Sequence, residues 1–181
     1  MADQFLKRDT GTGLWRVEEG AAVRTAVRAL TNDEIKALPT TPISLVSAPG
    51  SGLRIRPYAA TFSMNNSSGA WTNINATYAT LQLQWPGGLW ACSPIVNDSG
   101  ASVTDLTSFL NTVQRAFWDF AVPVIFTQGG WATGPVTQGS GDAENAALEL
   151  ALDNNGSGAL TGGHSANTGR VTVYYTIDVL A

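Results

Sequence analysis

The sequence predicts an all-β fold, and three observations carry that reading. The last stretch, GRVTVYYTIDVL, sets Val171, Val173, Tyr175, Ile177 and Val179 against Thr172, Tyr174, Thr176 and Asp178. β-Branched and aromatic side chains at a period of two fit a strand with one face on a core, whereas a helix would scatter the valines around its circumference. At about 3.3 Å per residue the stretch spans roughly 40 Å. The same alternation returns in Ala79, Leu81, Leu83 and Trp85 against Thr80, Gln82 and Gln84. Between such stretches stand turn-forming clusters, Ala48-Pro49-Gly50-Ser51-Gly52, Pro86-Gly87-Gly88 and Asn97-Asp98-Ser99-Gly100. Proline presets one corner of such a turn and glycine permits positive φ at the next.

Taken in order, residues 1–13 are polar and are expected to form a flexible arm that orders on a partner. Residues 14–181 form a single domain in this reading, with no internal repeat and no linker. Residues 14–17 suit a short strand. Val23, Thr25, Val27 and Ala29 alternate with Arg24, Ala26 and Arg28, which predicts a strand with an arginine-bearing outer face. Thr31-Asn32-Asp33-Glu34 has the spacing of a capping box, and Pro39 limits the helix that follows to two turns. Residues 43–47 form a short apolar strand.

Leu53 and Ile55 point inward next, as do Ala60, Phe62 and Met64 further on. Ile55 and Ala60 share a face five residues apart, which no regular strand allows, so a bulge or kink is expected at Pro57. Residues 65–75 read as a loop with Trp71 in its middle. Over residues 104–118, Leu106, Phe109, Leu110, Val113 and Phe117 recur at helical spacing and predict an amphipathic helix. Residues 120–127 suit a buried strand. Residues 128–141 are glycine-rich around Trp131. Within residues 143–152, Leu148, Leu150 and Leu152 alternate as a strand, and a turn-rich loop over residues 153–168 precedes the terminal stretch.

Charged residues make up only 13% of the chain, against 44% hydrophobic, and the formal net charge is −4. That charged share is about half of the usual quarter. Low charge with many glycines, serines and asparagines suits a β-rich protein whose surface is covered by partners. No run of lysine and arginine is present, which argues against nucleic acid as a partner. No stretch approaches the ~18 apolar residues of a membrane span, and the amino terminus has no apolar segment of signal-peptide length, so a protein made in the cytosol is expected. Cys92 is the only cysteine, so no internal disulfide forms, and a small buried hydrophobe is its expected role.

No nucleophile elbow, phosphate loop, dinucleotide fingerprint or zinc pattern is present. The expectation is therefore no catalytic, cofactor-binding or metal-ligating residue. Asp142 and Glu144 are the pair a sugar hydrolase would need, and solvated turn acids are the plainer reading of them. The tryptophans carry more. Trp71 and Trp131 sit in loops among small polar residues, where a flat ring could stack on a sugar or anchor a protein interface. These two are the candidate interface or glycan contacts.

Three blocks carry a resemblance when taken together. They are ALTNDEIKALPTTP at residues 29–42 running into residues 43–55, TNINA at residues 72–76, and TGGHSANT at residues 161–168 running into the terminal stretch. In this order they resemble small structural proteins of tailed bacteriophages that decorate or cement the capsid or form short virion appendages. The resemblance implies a virion location after synthesis in the host cytoplasm, a homotrimer, and the major capsid protein or another virion protein as partner. It carries no functional residue across. The expected whole is a jelly-roll-like β-sandwich with one or two short helices, acting without catalysis to bind neighbouring capsid subunits. The alternative is a receptor-binding tip of a tail or head fibre that holds a host glycan through Trp71 and Trp131.

Overall fold

The computed structural model describes residues 4–8, 15–19, 22–66, 68–75, 79–87, 89–91, 96–97, 106–111, 114–119 and 144–179. The fold is mostly β. Its strands are β1 (Gln4–Arg8), β2 (Trp15–Glu19), β3 (Arg24–Leu30), β4 (Ile43–Val46), β5 (Leu53–Asn65), β6 (Trp71–Thr72) and β7 (Thr80–Trp85). They continue with β8 (Leu89–Trp90), β9 (Val96–Asn97), β10 (Gln114–Asp119), β11 (Leu148–Asp153), β12 (Thr161–Gly162) and β13 (Thr168–Val179). The helices are α1 (Asn32–Ala37) and α2 (Leu106–Asn111).

All strand pairing among the described residues is antiparallel, and no barrel closes among them. One sheet has the order β10-β5-β13-β3. A second has the order β4-β11-β7-β8, with β9 also on β7. The segment expected as an arm contributes β1, which forms a hairpin ladder with β2 from Gln4↔Glu19 to Arg8↔Trp15.

The terminal stretch is the centre of the first sheet. β13 pairs β5 along its whole length and β3 along its first half. Val171 and Val173 are fully buried, as the alternation predicts. Further along, Tyr175 and Ile177 are half-buried and Val179 is 80% exposed, so the strand outruns the core beneath it. The parity switch in β5 is a bulge. Tyr174 faces Ala59 while Tyr175 faces Pro57, which leaves Tyr58 as the extra residue. That one insertion lets Ile55 and the trio Ala60, Phe62 and Met64 all reach the core.

β3 corrects its predicted parity. Ala26 lies opposite Val173 and Arg28 opposite Val171, so they share the core side, while Val27 is 53% exposed on the other. Alternation alone does not say which face turns inward. Leu30 decides it, being the bulkiest apolar side chain of the strand and 1% exposed.

The capping box forms as expected. Glu34 N–H donates to Thr31 Oγ1 at 3.3 Å, and Thr31 N–H donates to Glu34 Oε2 at 2.8 Å. It starts α1, whose Ile35 is buried, and Pro39 follows the Leu38 cap. Gly50 takes φ +110°, the positive value its turn requires.

The helix predicted over residues 104–118 is corrected. Among the described residues it is helical at Leu106–Asn111, and Gln114–Asp119 is instead β10, a strand paired with β5. The apolar spacing suits a helix, but the open edge of β5 offers Gln114–Asp119 backbone partners at Ala59–Met64, and tertiary pairing overrides the local preference. β11 forms as predicted, with Leu148, Leu150 and Leu152 buried. The strand expected at residues 120–127, and Cys92, lie outside the described residues.

One hydrophobic cluster takes Leu81, Leu83, Leu150 and Leu152 from the second sheet and Ala60, Phe62, Val171 and Val173 from the first. Each such large side chain contributes about 1.5–3 kcal/mol on burial.

Candidate functional site

The structure places Trp71 in the core at 1% exposure, not on a loop surface. β6 pairs with β12, which converts the middle of the expected loop into a short ladder. The Trp71 indole N–H donates to Asn32 Oδ1 at 2.9 Å. Its backbone N–H donates to Asn111 Oδ1 at 2.7 Å, and its carbonyl accepts from Asn111 Nδ2 at 3.1 Å. The Asn111 amide thus stands in for a neighbouring strand. Gly163 closes the site: a Cβ there would lie 2.6 Å from the indole nitrogen and would collide with Asn32 Oδ1. A ring held on these sides offers no stacking face to a sugar or to a partner. Trp131 lies outside the described residues.

The surrounding loops are tied by asparagines. Asn154, 3% exposed, donates to the carbonyls of Asn73 at 2.7 Å and Gly158 at 2.9 Å and accepts from Asn75 N–H at 2.8 Å. Asn73, at φ +62°, donates to the carbonyls of Ser157 and Ala159, each at 2.8 Å. Asn167 donates to the Gly69 carbonyl at 2.9 Å. A buried amide with its partners in place fixes loop geometry, since leaving it unpaired costs about 1–3 kcal/mol. This amide-rich end of the molecule is scaffold.

Glu144 has a structural task too. Its Oε1 accepts from Gly52 N–H at 2.7 Å and from the Ser51 hydroxyl at 3.3 Å, while Asn145 Oδ1 accepts from Gly50 N–H at 2.9 Å. Together they fasten the turn before β5. Its proposed companion, Asp142, lies outside the described residues. The polar side of β7 is buried as well, with Thr80, Gln82 and Gln84 at 7%, 3% and 6% exposure. They form a directional row. The Thr80 hydroxyl donates to Gln82 Oε1, Gln82 Nε2 to Gln84 Oε1, and Gln84 Nε2 to Glu149 Oε2, at 3.2, 3.1 and 3.3 Å. The sequence showed a half-buried strand here; hydrogen bonding along the row is what makes burial of both faces affordable.

What remains is the outer face of the first sheet. Ala60, Phe62, Val171 and Val173 define its core side, so the alternate residues define the outer one. By register from β5 through β13 to β3, one row is Ser63, Arg170 and Ala29. The next is Thr61, Thr172 and Val27, and the third is Ala59, Tyr174 and Thr25. Past the bulge stand Arg56 opposite Thr176 and Arg54 opposite Asp178. The Asp178 carboxylate lies 3.7 Å from the Arg54 guanidinium and 3.8 Å from that of Arg56, and Arg56 also sits over the Tyr58 ring at 5.3 Å. Val27, on β3 at one end of the strand order, and Tyr174, on β13, are exposed at 53% and 37%.

Charge is sorted between the sheets. The four strands of the first sheet hold six of the eight arginines, no lysine and two aspartates, a formal +4. The remainder of a chain of net −4 therefore carries −8. The strands of the second sheet hold Glu149 and Asp153 and no cation. Among the carboxylates, Glu34 sits below its ordinary pKa, chiefly because the Thr31 backbone N–H binds the ionised form. Partial burial opposes that shift, while the Thr31 hydroxyl and the Arg28 guanidinium assist it. This titration belongs to the helix cap and not to any reaction centre.

No protein-family model, curated protein or solved structure matches the chain.

Of the arginines on this face, the sequence alternation turns Arg54 and Arg56 outward around Ile55, while Arg24 and Arg28, expected on an outer face, lie on the core side. The gathering of Arg54, Arg56 and Arg170 on one face was not legible, because it depends on β5 and β13 becoming neighbours.

Proposed function

We propose that the chain is a non-enzymatic structural protein of a tailed-bacteriophage virion, one that decorates and cements the capsid by binding neighbouring capsid subunits. In this reading its two main sheets are the layers of a jelly-roll sandwich, and the protein works as a homotrimer. One observation supports the reading most: the outer face of the first sheet has the make-up of a protein interface. Hydroxyl-bearing residues and the exposed Tyr174 occupy the middle of its length, and arginines stand at both ends, Arg170 at one and Arg54 and Arg56 at the other. Arginine and aromatic residues are enriched in protein interfaces, where lysine is depleted. Cementing needs nothing more than added buried area between subunits, roughly 800 Å² per partner for a standard contact. Binding of this kind opposes subunit separation by mass action.

The glycan-tip reading relied on two exposed tryptophans, and the burial of Trp71 removes one of them. Co-sedimentation with purified capsids tests the proposal. Saturable binding that raises the temperature of capsid disruption is expected. Protein left wholly in the supernatant would refute it.

A further inference from the structure

We propose that Asn155-Gly156 is a site of spontaneous covalent modification in the folded protein. There the asparagine closes to a succinimide and opens to aspartate or isoaspartate, and the change loosens the asparagine-tied end of the molecule. The proposal is independent of the virion reading. Asn155 is the only asparagine in the chain followed by glycine. Glycine matters because the attacking atom is the backbone nitrogen of the next residue, and a side chain there would crowd the ring and stiffen the backbone.

The structure leaves this pair accessible. Both residues are exposed, at φ +47° and +77°, in a turn closed by the Ser157 N–H on the Asn154 carbonyl at 3.0 Å. Positive φ at both corners is what an asparagine-glycine turn supplies. Nothing lies within 4 Å of the position a Cβ would take on Gly156, so the ring has room to close. Asn155 engages through its backbone N–H, which donates to Asp153 Oδ1 at 2.8 Å. Its side-chain amide makes no hydrogen bond among the described residues, whereas the amides of Asn73, Asn111 and Asn154 are each held by two or more. Ring closure needs the turn to open, and an exposed turn held by so few bonds opens far more often than the domain unfolds.

The step balances with water as the only co-reactant and no change of oxidation state. Hydroxide removes the Gly156 amide proton, and that nitrogen attacks Asn155 Cγ. The N–Cγ bond forms, the Cγ–Nδ2 bond breaks, and ammonia leaves with a proton from water. Water then opens the ring. Cleavage at Cγ gives aspartate, and cleavage at the main-chain carbonyl gives isoaspartate, whose main chain runs through the side-chain methylene. Either product sets a new carboxylate in the turn that already holds Asp153. Isoaspartate also lengthens the main chain between the groups that fasten this turn. Asn154 donates to the carbonyls of Asn73 and Gly158, and Asn73 donates to those of Ser157 and Ala159. The lesion therefore falls inside the span whose geometry those amides fix.

The test is peptide mapping by mass spectrometry of the full chain, held folded at physiological temperature in mildly acidic and mildly alkaline buffer. Isoaspartate is detected by an isoaspartyl methyltransferase. Asn155 should convert ahead of every other asparagine, and faster in alkali, where more of the attacking nitrogen is deprotonated. Asn155→Gln should abolish the methylation signal. Aged protein should melt below fresh protein, and below Asn155→Asp, which carries the new charge without the longer main chain. An Asn155 that stays intact in the folded chain while the urea-unfolded chain converts there overturns the proposal. So does another asparagine converting as fast. Aged protein rich in isoaspartate that melts with the fresh protein would refute the loosening. None of these readouts involves a capsid, so a failure here and a failure of the virion reading are distinguishable.

Discussion

Gly163→Ala should be among the most damaging single-methyl additions to this protein, and its cost can be worked from two separable causes. Gly163 sits at φ +72°, where an L side chain costs about 1–2 kcal/mol. The new methyl would also lie 2.6 and 2.8 Å from Nε1 and Cδ1 of Trp71, and against Asn32 Oδ1. Neither neighbour can yield cheaply, because Trp71 is held through its backbone by Asn111 and through its ring by Asn32. Parting the 2.9 Å bond between the indole and Asn32 leaves a buried donor and a buried acceptor, at about 1–3 kcal/mol.

The two causes together amount to about 3–4 kcal/mol, which lowers the melting temperature of a chain this size by about 10 °C. Gly52→Ala is the control. Its φ is +73°, nearly the same, yet nothing lies within 4 Å of its Cβ position. It should show the conformational cost alone, a fall of about 4 °C. Thermal unfolding followed by near-ultraviolet circular dichroism reads both, since the signal includes the tryptophan. Equal shifts for the two variants would refute the packing assigned to Trp71.

Other consequences follow from the same structure. Deleting Tyr58 removes the bulge residue, so either Ile55 or the set Ala60, Phe62 and Met64 must leave the core; loss of soluble expression is expected, and a stable variant would contradict the register. Asn154→Ala abolishes three hydrogen bonds and should destabilise by about 2–4 kcal/mol in denaturant titration. Thr31→Ala should cost about 1 kcal/mol through the lost cap. Because the folded state holds the Glu34 pKa below its unfolded value, its contribution is present above the unfolded pKa and is lost as pH falls through the folded one. The stability gap between wild type and Glu34→Ala should therefore shrink on acidification below about pH 4; a gap unchanged down to pH ~2 would contradict the cap. Removing residues 1–13 should weaken capsid co-sedimentation, and unchanged binding would take that segment out of the binding surface.

Much of the fold was legible in the sequence where a local signal and the global packing agree. The terminal strand, the capping box at Thr31, the leucines of β11 and the bulge near Pro57 were of this kind. The bulge was legible because Ile55 and Ala60 cannot share a face without an extra residue. The misreadings came where neighbours decide. Leu106, Phe109, Leu110 and Phe117 have helical spacing, but the free edge of β5 turns Gln114–Asp119 into a strand. Val27 looked like core until Leu30 and the register with β13 turned it outward. Trp71 looked like a surface ring because its segment is rich in serine, glycine and asparagine. Those residues instead supply the buried amides and the close approach that hold the ring inside. Composition therefore misled about the candidate site. The face that replaced it required strand order, which no local pattern encodes.

The central claim is that this chain adheres to a virion lattice and does no chemistry. Cryo-electron microscopy of whole particles tests it most directly. The account predicts density fitting this fold, repeated in many copies over the capsid, with the β3-β13-β5-β10 face covered by a neighbour. Particles that lack the chain altogether, or that carry it with that face bare to solvent, would contradict it.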